Sequence, residues 1–219
     1  SSLTVDDVYV LTAAANGKNR KRPSVKVIMY SRVRVLVVLF LQITPVGVIS
    51  QAGDWPMWRY DAARSNASPD ALPHELRLQW VRKLPTPRSA WPESQAKLQF
   101  DAVCQPIIVG KLMIVGSTMN DSVTAFDTGT GAEVWRFYTD GPVRFAPAAH
   151  RDKVYAASDD GNLYCLEATS GELIRNIAGG PRERRVIGND RVVSTWPIRG
   201  GPVIADDTVY FTAGIWPFM

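Results

Sequence analysis

The sequence predicts an all-β fold, an incomplete β-propeller of four-stranded antiparallel blades with about two and a half blades present. Three observations support this. A motif-bearing segment recurs at an interval of about 40 residues. Each copy divides into short runs of β-branched and aromatic residues parted by turn signals. No stretch after Gly53 carries apolar residues at helical spacing. A unit of that length built from four strands has the period of a propeller blade.

Of the 219 residues 46% are apolar and 21% charged, which excludes a disordered or collagen-like chain. The formal charge of +4 arises entirely in residues 1–52, which hold seven Lys and Arg against two Asp. Residues 53–219 hold 18 basic and 19 acidic side chains, a balance of −1. The basic character therefore belongs to the leader, and no nucleic-acid partner is expected. Two cysteines exclude a disulfide-dense scaffold and a four-cysteine zinc site.

Residues 1–28 precede the first methionine, Met29, and are expected to be upstream or misassigned sequence. Residues 29–52 read as a signal peptide. Arg32 and Arg34 come first, then an apolar run over 35–43 interrupted by Gln42. Pro45 and Gly47 follow, with the small residues Ser50 and Ala52 just before Gly53. The run is short for a bilayer span, so no stable transmembrane segment is expected; retention as an anchor is the other reading. Export would place the chain in the periplasm, at the outer membrane or outside a bacterium. Residues 53–100 form a lead-in that opens Asp54-Trp55-Pro56-Met57-Trp58-Arg59. It contains a strand over 76–82 whose Trp80 has no blade strands before it.

Two full copies of the repeat follow, 101–141 and 144–180, and a third, 199–219, stops at Met219. Pro106, Pro147 and Pro202 open the copies, and Gly131 matches Gly171 at an offset of 40. The first strand follows the proline (107–109), and a polar turn follows it: Gly110-Lys111, His150-Arg151-Asp152 or Asp206-Asp207. The second strand is apolar (112–115, 154–157, 209–212). The third alternates through Val123 and Ala125, or Leu163 and Cys165; the fourth lies at 133–138 and 172–177. Residues 181–198 are an insertion between the second and third copies, locally basic through Arg182, Arg184, Arg185 and Arg191. Two readings stand for it: a solvated loop between blades, or a face loop that meets an anionic partner or covers the channel mouth.

The most specific motif is Ala125-x-Asp127-x-x-Thr130-Gly131-x-x-x-Trp135. Asp127 can accept N–H groups of the turn as an Asx-turn does. Gly131 supplies a positive φ without a Cβ clash. Trp135, on the outermost strand, can stack between blades. The second copy, Cys165-x-Glu167-x-x-Ser170-Gly171-x-x-x-Arg175, keeps the hydroxyl and the glycine and loses the tryptophan.

This pattern resembles the repeat of the pyrroloquinoline-quinone (PQQ) dehydrogenase-like β-propellers, a group that includes BamB-like repeat proteins. The lead-in resembles the opening of secreted members, so the likeness covers roughly residues 53–219. The resemblance implies that the 76–82 strand completes the last blade and joins the ends of the ring. The rest of that blade is missing, so the chain reads as the N-terminal piece of a longer protein. Two functions follow. One is an exported, non-catalytic scaffold that offers loops to a protein or an envelope polymer. The other is a quinoprotein dehydrogenase oxidising an alcohol or sugar with PQQ and calcium. Dehydrogenases of the family use an adjacent Cys-Cys pair, an acidic calcium cluster and a catalytic Asp; this chain has no Cys-Cys, and none of its acidic residues matches the cluster.

Few other residues carry chemistry. Arg144 and Arg199 each sit three residues before an opening proline and so occupy the same point of adjacent blades. They are expected near the channel mouth, either binding an anion together or bonding to carbonyls and carboxylates such as Asp140 and Asp159. His74 and His150 lack metal-ligand spacing and read as surface residues. Cys104 and Cys165 read as two buried thiols rather than a disulfide.

Overall fold

The computed structural model describes residues 7–12, 53–72, 74–98, 101–188 and 190–214, with side chains placed for all of these except 7–12 and 96–98. The expected signal peptide at 29–52 lies outside the described residues, as does most of 1–28.

Strands account for nearly all the regular structure. Two four-stranded antiparallel sheets form complete blades. Blade 1 runs β3 (Ile107–Val109), β4 (Leu112–Ser117), β5 (Ser122–Asp127) and β6 (Glu133–Tyr138) in that spatial order. Blade 2 runs β7 (Ala148–His150), β8 (Lys153–Ala157), β9 (Asn162–Glu167) and β10 (Leu173–Ala178). The third copy supplies β13 (Val203–Ala205) and β14 (Thr208–Tyr210), the inner half of a blade. The expected strands match these within one to three residues at their ends, and a short 3-10 segment, Glu93–Leu98, is the lone helical element among the described residues.

Blade strands are apolar on both faces because each blade packs on two neighbours. In β4, Met113 and Val115 point to one side and Ile114 to the other, and all three are buried. Ile114, Val123 and Ala125 join Val154, Ala156 and Leu166 of blade 2 in one core. Met113, Val115 and Phe126 pack on the opposite side against Trp80 and Leu84. Ala157, Leu163 and Ile198 form the layer that faces Phe211 of the third copy. Alternation of this kind makes each sheet a slab between two dry seams, about 10 Å apart for packed sheets.

The expected ring-closing strand is β2 (Arg77–Lys83), and it pairs with β1 (Asp7–Thr12). Val10 stands opposite Trp80 with a register shift just after it. The same arrangement holds in blade 1, where Ala125 stands opposite Trp135, and Cys165 stands opposite Arg175 in blade 2. Residues 7–12, expected to fall outside the working protein, thus take a third-strand place beside β2.

The lead-in crosses the inner strands of all three copies. Trp55 and Ile108 exchange two backbone hydrogen bonds of 2.9 Å each. Ala149 N–H donates to the Pro56 carbonyl at 2.7 Å. Met57 is buried against Ala148 and Ile204, and Arg64 donates to the Trp58 and Gly201 carbonyls at 2.7 and 3.3 Å. The open inner edges of β3 and β7 are satisfied this way, as buried or edge backbone groups require.

The insertion is not an irregular loop. It contains a hairpin of β11 (Arg185–Gly188) and β12 (Arg191–Ser194), pairing Val186 with Val193 and Ile187 with Val192.

Candidate functional site

The sequence motif builds the seams between blades. At the end of β5, Asp127 Oδ1 accepts the Gly129 and Thr130 N–H groups at 3.1 and 2.8 Å and the Thr130 hydroxyl at 2.8 Å. The Thr130 hydroxyl, first among these, holds the Asp127 carboxyl below its ordinary pKa. Gly131 adopts φ 69° and donates to the Asp127 carbonyl at 2.8 Å. In blade 2, Gly171 does the same with φ 72° and a 2.9 Å bond to the Glu167 carbonyl. Glu167 itself, one methylene longer, reaches only the Thr169 hydroxyl at 3.3 Å. Ser170 Oγ accepts from Glu172 N–H at 3.2 Å, as Thr130 Oγ1 does from Ala132 N–H.

Each turn receives an indole from the preceding unit. Trp135 is 7% exposed, and its Nε1 donates to the Ala168 carbonyl at 2.9 Å. Its ring lies over Gly171, where an added Cβ would stand 2.5 Å from Cε3. Trp80 repeats this one unit earlier: Nε1 donates to the Thr128 carbonyl at 2.9 Å, and its ring covers Gly131. Thr128 and Ala168 both follow the motif carboxylate, so the two seams are geometric copies. Ala125 is fully buried behind Trp135. Glycine at 131 and 171 therefore answers two demands, the left-handed φ and the flat ring above it.

The two arginines meet on one carboxylate. Arg144 Nε donates to Asp159 Oδ2 at 2.6 Å, and its terminal nitrogen donates to Asp101 Oδ2 and to the Arg88 carbonyl at 2.9 and 2.6 Å. Arg199 donates to both oxygens of Asp159 at 3.2 Å, and its guanidinium lies 5.8 Å from the Trp91 ring centroid. The side chains of Arg144, Asp101 and Asp159 are nearly inaccessible. The place between the arginines, expected to take either an anion or carboxylates such as Asp140 and Asp159, is filled by Asp159 of the chain itself, and two arginines against two aspartates leave the cluster neutral. Asp101 Oδ1 has no partner within the described residues. Sequence reasoning missed Asp101 and Arg88; the signal available was only that two arginines in register need a carboxylate between them.

The hairpin β11–β12 closes over this region. Ser194 N–H donates to the Asp159 carbonyl at 2.8 Å. Arg191 donates to the Thr118 carbonyl at 2.9 Å and forms an ion pair with Asp121 at the β4–β5 turn. Arg88 pairs with Asp190 at 2.7 Å, and Arg185 with Asp140 at 3.4 Å. Desolvation raises the Asp121 carboxyl above its ordinary pKa, against the pull of Arg191.

The remaining candidates are structural. His150 Nε2 lies 2.7 Å from Asp207 Oδ1, and His74 is exposed. No disulfide joins the cysteines: Cys165 is buried opposite Tyr155, whereas Cys104, expected to be buried, is only half-buried beside Met113 and Phe126. They sit on separate elements and cannot act as an adjacent pair against a quinone. Asp101 and Asp159 already face arginines, and no group of three or more His, Cys, Asp or Glu among the described residues could hold a metal ion. The described residues therefore do not fit PQQ and its calcium. No helix among the described residues is long and apolar enough to cross a membrane.

Two full blades, each with a motif turn that receives a tryptophan, and half of a third define a β-propeller of the PQQ-repeat class. The chain belongs to that family: the family model described as outer membrane protein assembly factor BamB matches residues 58–215. No curated protein matches the chain. Similar solved structures include a quinohemoprotein alcohol dehydrogenase from Comamonas testosteroni, at 19% identity and a TM-score of 0.48, covering 75% of this chain and 24% of that one. BamB from Moraxella catarrhalis is 20% identical with a TM-score of 0.33, covering 48% of this chain and 40% of that one. A quinohemoprotein alcohol dehydrogenase from Pseudomonas putida is 21% identical with a TM-score of 0.42, covering 50% of this chain and 16% of that one. The chain thus spans 16% to 40% of the length of these structures.

Proposed function

We propose that this chain is part of an exported, non-catalytic propeller that serves as a protein-interaction or envelope-assembly scaffold, in the periplasm or at the outer membrane of a bacterium. The observation that carries this reading is the match of residues 58–215 to the family model of an assembly factor. The geometry supports it in kind. Tryptophan seams and the Arg144–Asp159–Arg199 cluster lock neighbouring blades, so loops on the faces are held in fixed relation, as a docking platform requires. The reading includes cleavage after Ala52, with Gly53 as the mature N-terminus; β1 is then removed and the edge of β2 that it covers is freed for another strand.

The test has two arms. The full-length protein is reconstituted with PQQ and Ca²⁺ and assayed for dye-linked oxidation of alcohols and sugars. No turnover is expected, and oxidation would replace the scaffold reading by the dehydrogenase one. N-terminal sequencing of native protein from the envelope fraction is expected to begin at Gly53. A peptide from residues 1–28 in that material, or a purely cytoplasmic protein, would overturn the export part.

A further inference from the structure

The β11–β12 hairpin is held at both ends and yet turns an apolar surface outward. Its body side is tied down: Val193 is 2% exposed, Ser194 N–H is bonded to Asp159, and Arg191 is paired with Asp121. On the outer side, Ile187 is 84% exposed and its cross-strand partner Val192 is 55% exposed. A two-stranded hairpin is marginal by itself, and here the ion pairs at Asp190 and Arg191 hold it in place without covering those two side chains. β11 has a neighbour on one side only, so its other edge is open among the described residues.

Charges of both signs lie beside this surface, and those left without an ion pair on its flank are positive. Arg185 is engaged by Asp140 and Glu183, and Asp190 by Arg88. Arg182 and Arg184 are exposed and form no ion pair among the described residues. An apolar pair, an open strand edge and two unspent guanidinium groups thus lie together on six consecutive residues and their cross-strand partner.

Resting on the scaffold reading above, we propose that this hairpin is a docking ledge for an extended, acidic segment of a partner protein. The segment adds as a strand along β11, places apolar side chains on Ile187 and Val192, and sets carboxylates against Arg182 and Arg184. Strand addition takes its affinity from backbone hydrogen bonds and its choice of partner from alternate side chains. The opposite charges speed encounter and set orientation. A free phosphate uses neither the strand edge nor the apolar pair. A lipid surface uses the arginines and the apolar pair but leaves the edge unpaired.

The probe is a fluorescein-labelled peptide of alternating valine and glutamate, read by anisotropy against the full chain, with a valine–lysine peptide and phosphatidylglycerol vesicles as comparisons. Saturable binding of the glutamate peptide is expected. Ile187→Asp, or Arg182→Glu with Arg184→Glu, weakens it about tenfold or more, and added salt weakens it in the parent but not in the double charge reversal. Val134→Asp, on the outer strand of blade 1, leaves it unchanged. Absence of binding, equal binding of the lysine peptide, insensitivity to Ile187→Asp, or a preference for vesicles would each overturn the ledge. Photo-crosslinking from position 134 and from position 187 in envelopes separates the two ideas: a partner trapped from 134 alone defeats the ledge and leaves the scaffold standing.

Discussion

The seat of Trp135 on Gly171 is the close contact that joins the two full blades, and a double-mutant cycle tests it. In Gly171→Ala the new Cβ would lie 2.5 Å from Cε3 and 2.6 Å from Cδ2 of the indole. That ring is buried and pinned by its bond to the Ala168 carbonyl, so it cannot step aside. The φ of 72° at this position adds roughly 1–2 kcal/mol of left-handed strain for an L-residue. Overpacking against a fixed ring costs about 1–3 kcal/mol more. Trp135→Ala alone removes a buried indole and orphans a carbonyl, at about 3–5 kcal/mol. In the double variant the ring is gone, the clash disappears, and Gly171→Ala costs only its φ term. The two substitutions therefore fail to add by about 1–3 kcal/mol. Urea unfolding followed by far-ultraviolet circular dichroism, which does not depend on the lost indole, measures all four corners. Additivity within about 0.5 kcal/mol would refute the claim that ring and glycine meet.

Further outcomes follow from the same geometry. Asp159→Ala strands the buried Arg144 with Asp101 alone and releases Arg199, and should cost about 3–5 kcal/mol in the same urea assay; a loss under about 1 kcal/mol would show the cluster to be incidental. Asp127 has a depressed pKa, so its capping contributes above the ordinary aspartate range and is lost as pH falls through the folded-state value. Carboxyl titration by NMR should place its midpoint below that of a free aspartate, and Asp127→Ala should flatten the acid limb of the stability curve; an ordinary midpoint would contradict this. Burial raises the Cys165 thiol, so at pH 8 it should react with a disulfide dye only in denaturant, after Cys104 has reacted, and simultaneous labelling of both would count against the buried position.

The parts of the fold that the sequence reveals are those governed by local chemistry. β4 and β8 announce themselves as apolar runs because both of their faces are buried. Gly131 and Gly171 announce the hairpins because few other residues accept their φ. Trp80 and Trp135 are legible together, since the same strand pattern carries each. What escaped was set by distant partners. Trp55 bridges to Ile108 through backbone alone, and no side-chain pattern records that pairing. Arg144 and a carboxylate partner such as Asp159 were visible by register, but the recruitment of Asp101 and the Arg88 carbonyl depends on how three segments converge. The β11–β12 hairpin did leave a trace, Val186-Ile187 and Val192-Val193 around Gly-Asn-Asp, and the surrounding arginines disguised it as a solvated loop.

The lead-in also bears on the order in which the molecule can be made. Residues 55, 56 and 57 touch the first, second and third copies in turn, and they leave the ribosome or translocon before any blade does. Each new inner strand therefore meets a rail that is already present, with a free backbone group waiting for Ile108 and then for Ala149. Growth along such a rail is vectorial, adding one blade at a time to a nearest neighbour. Shortening the lead-in would remove the template for assembly as well as three contacts of the finished arc.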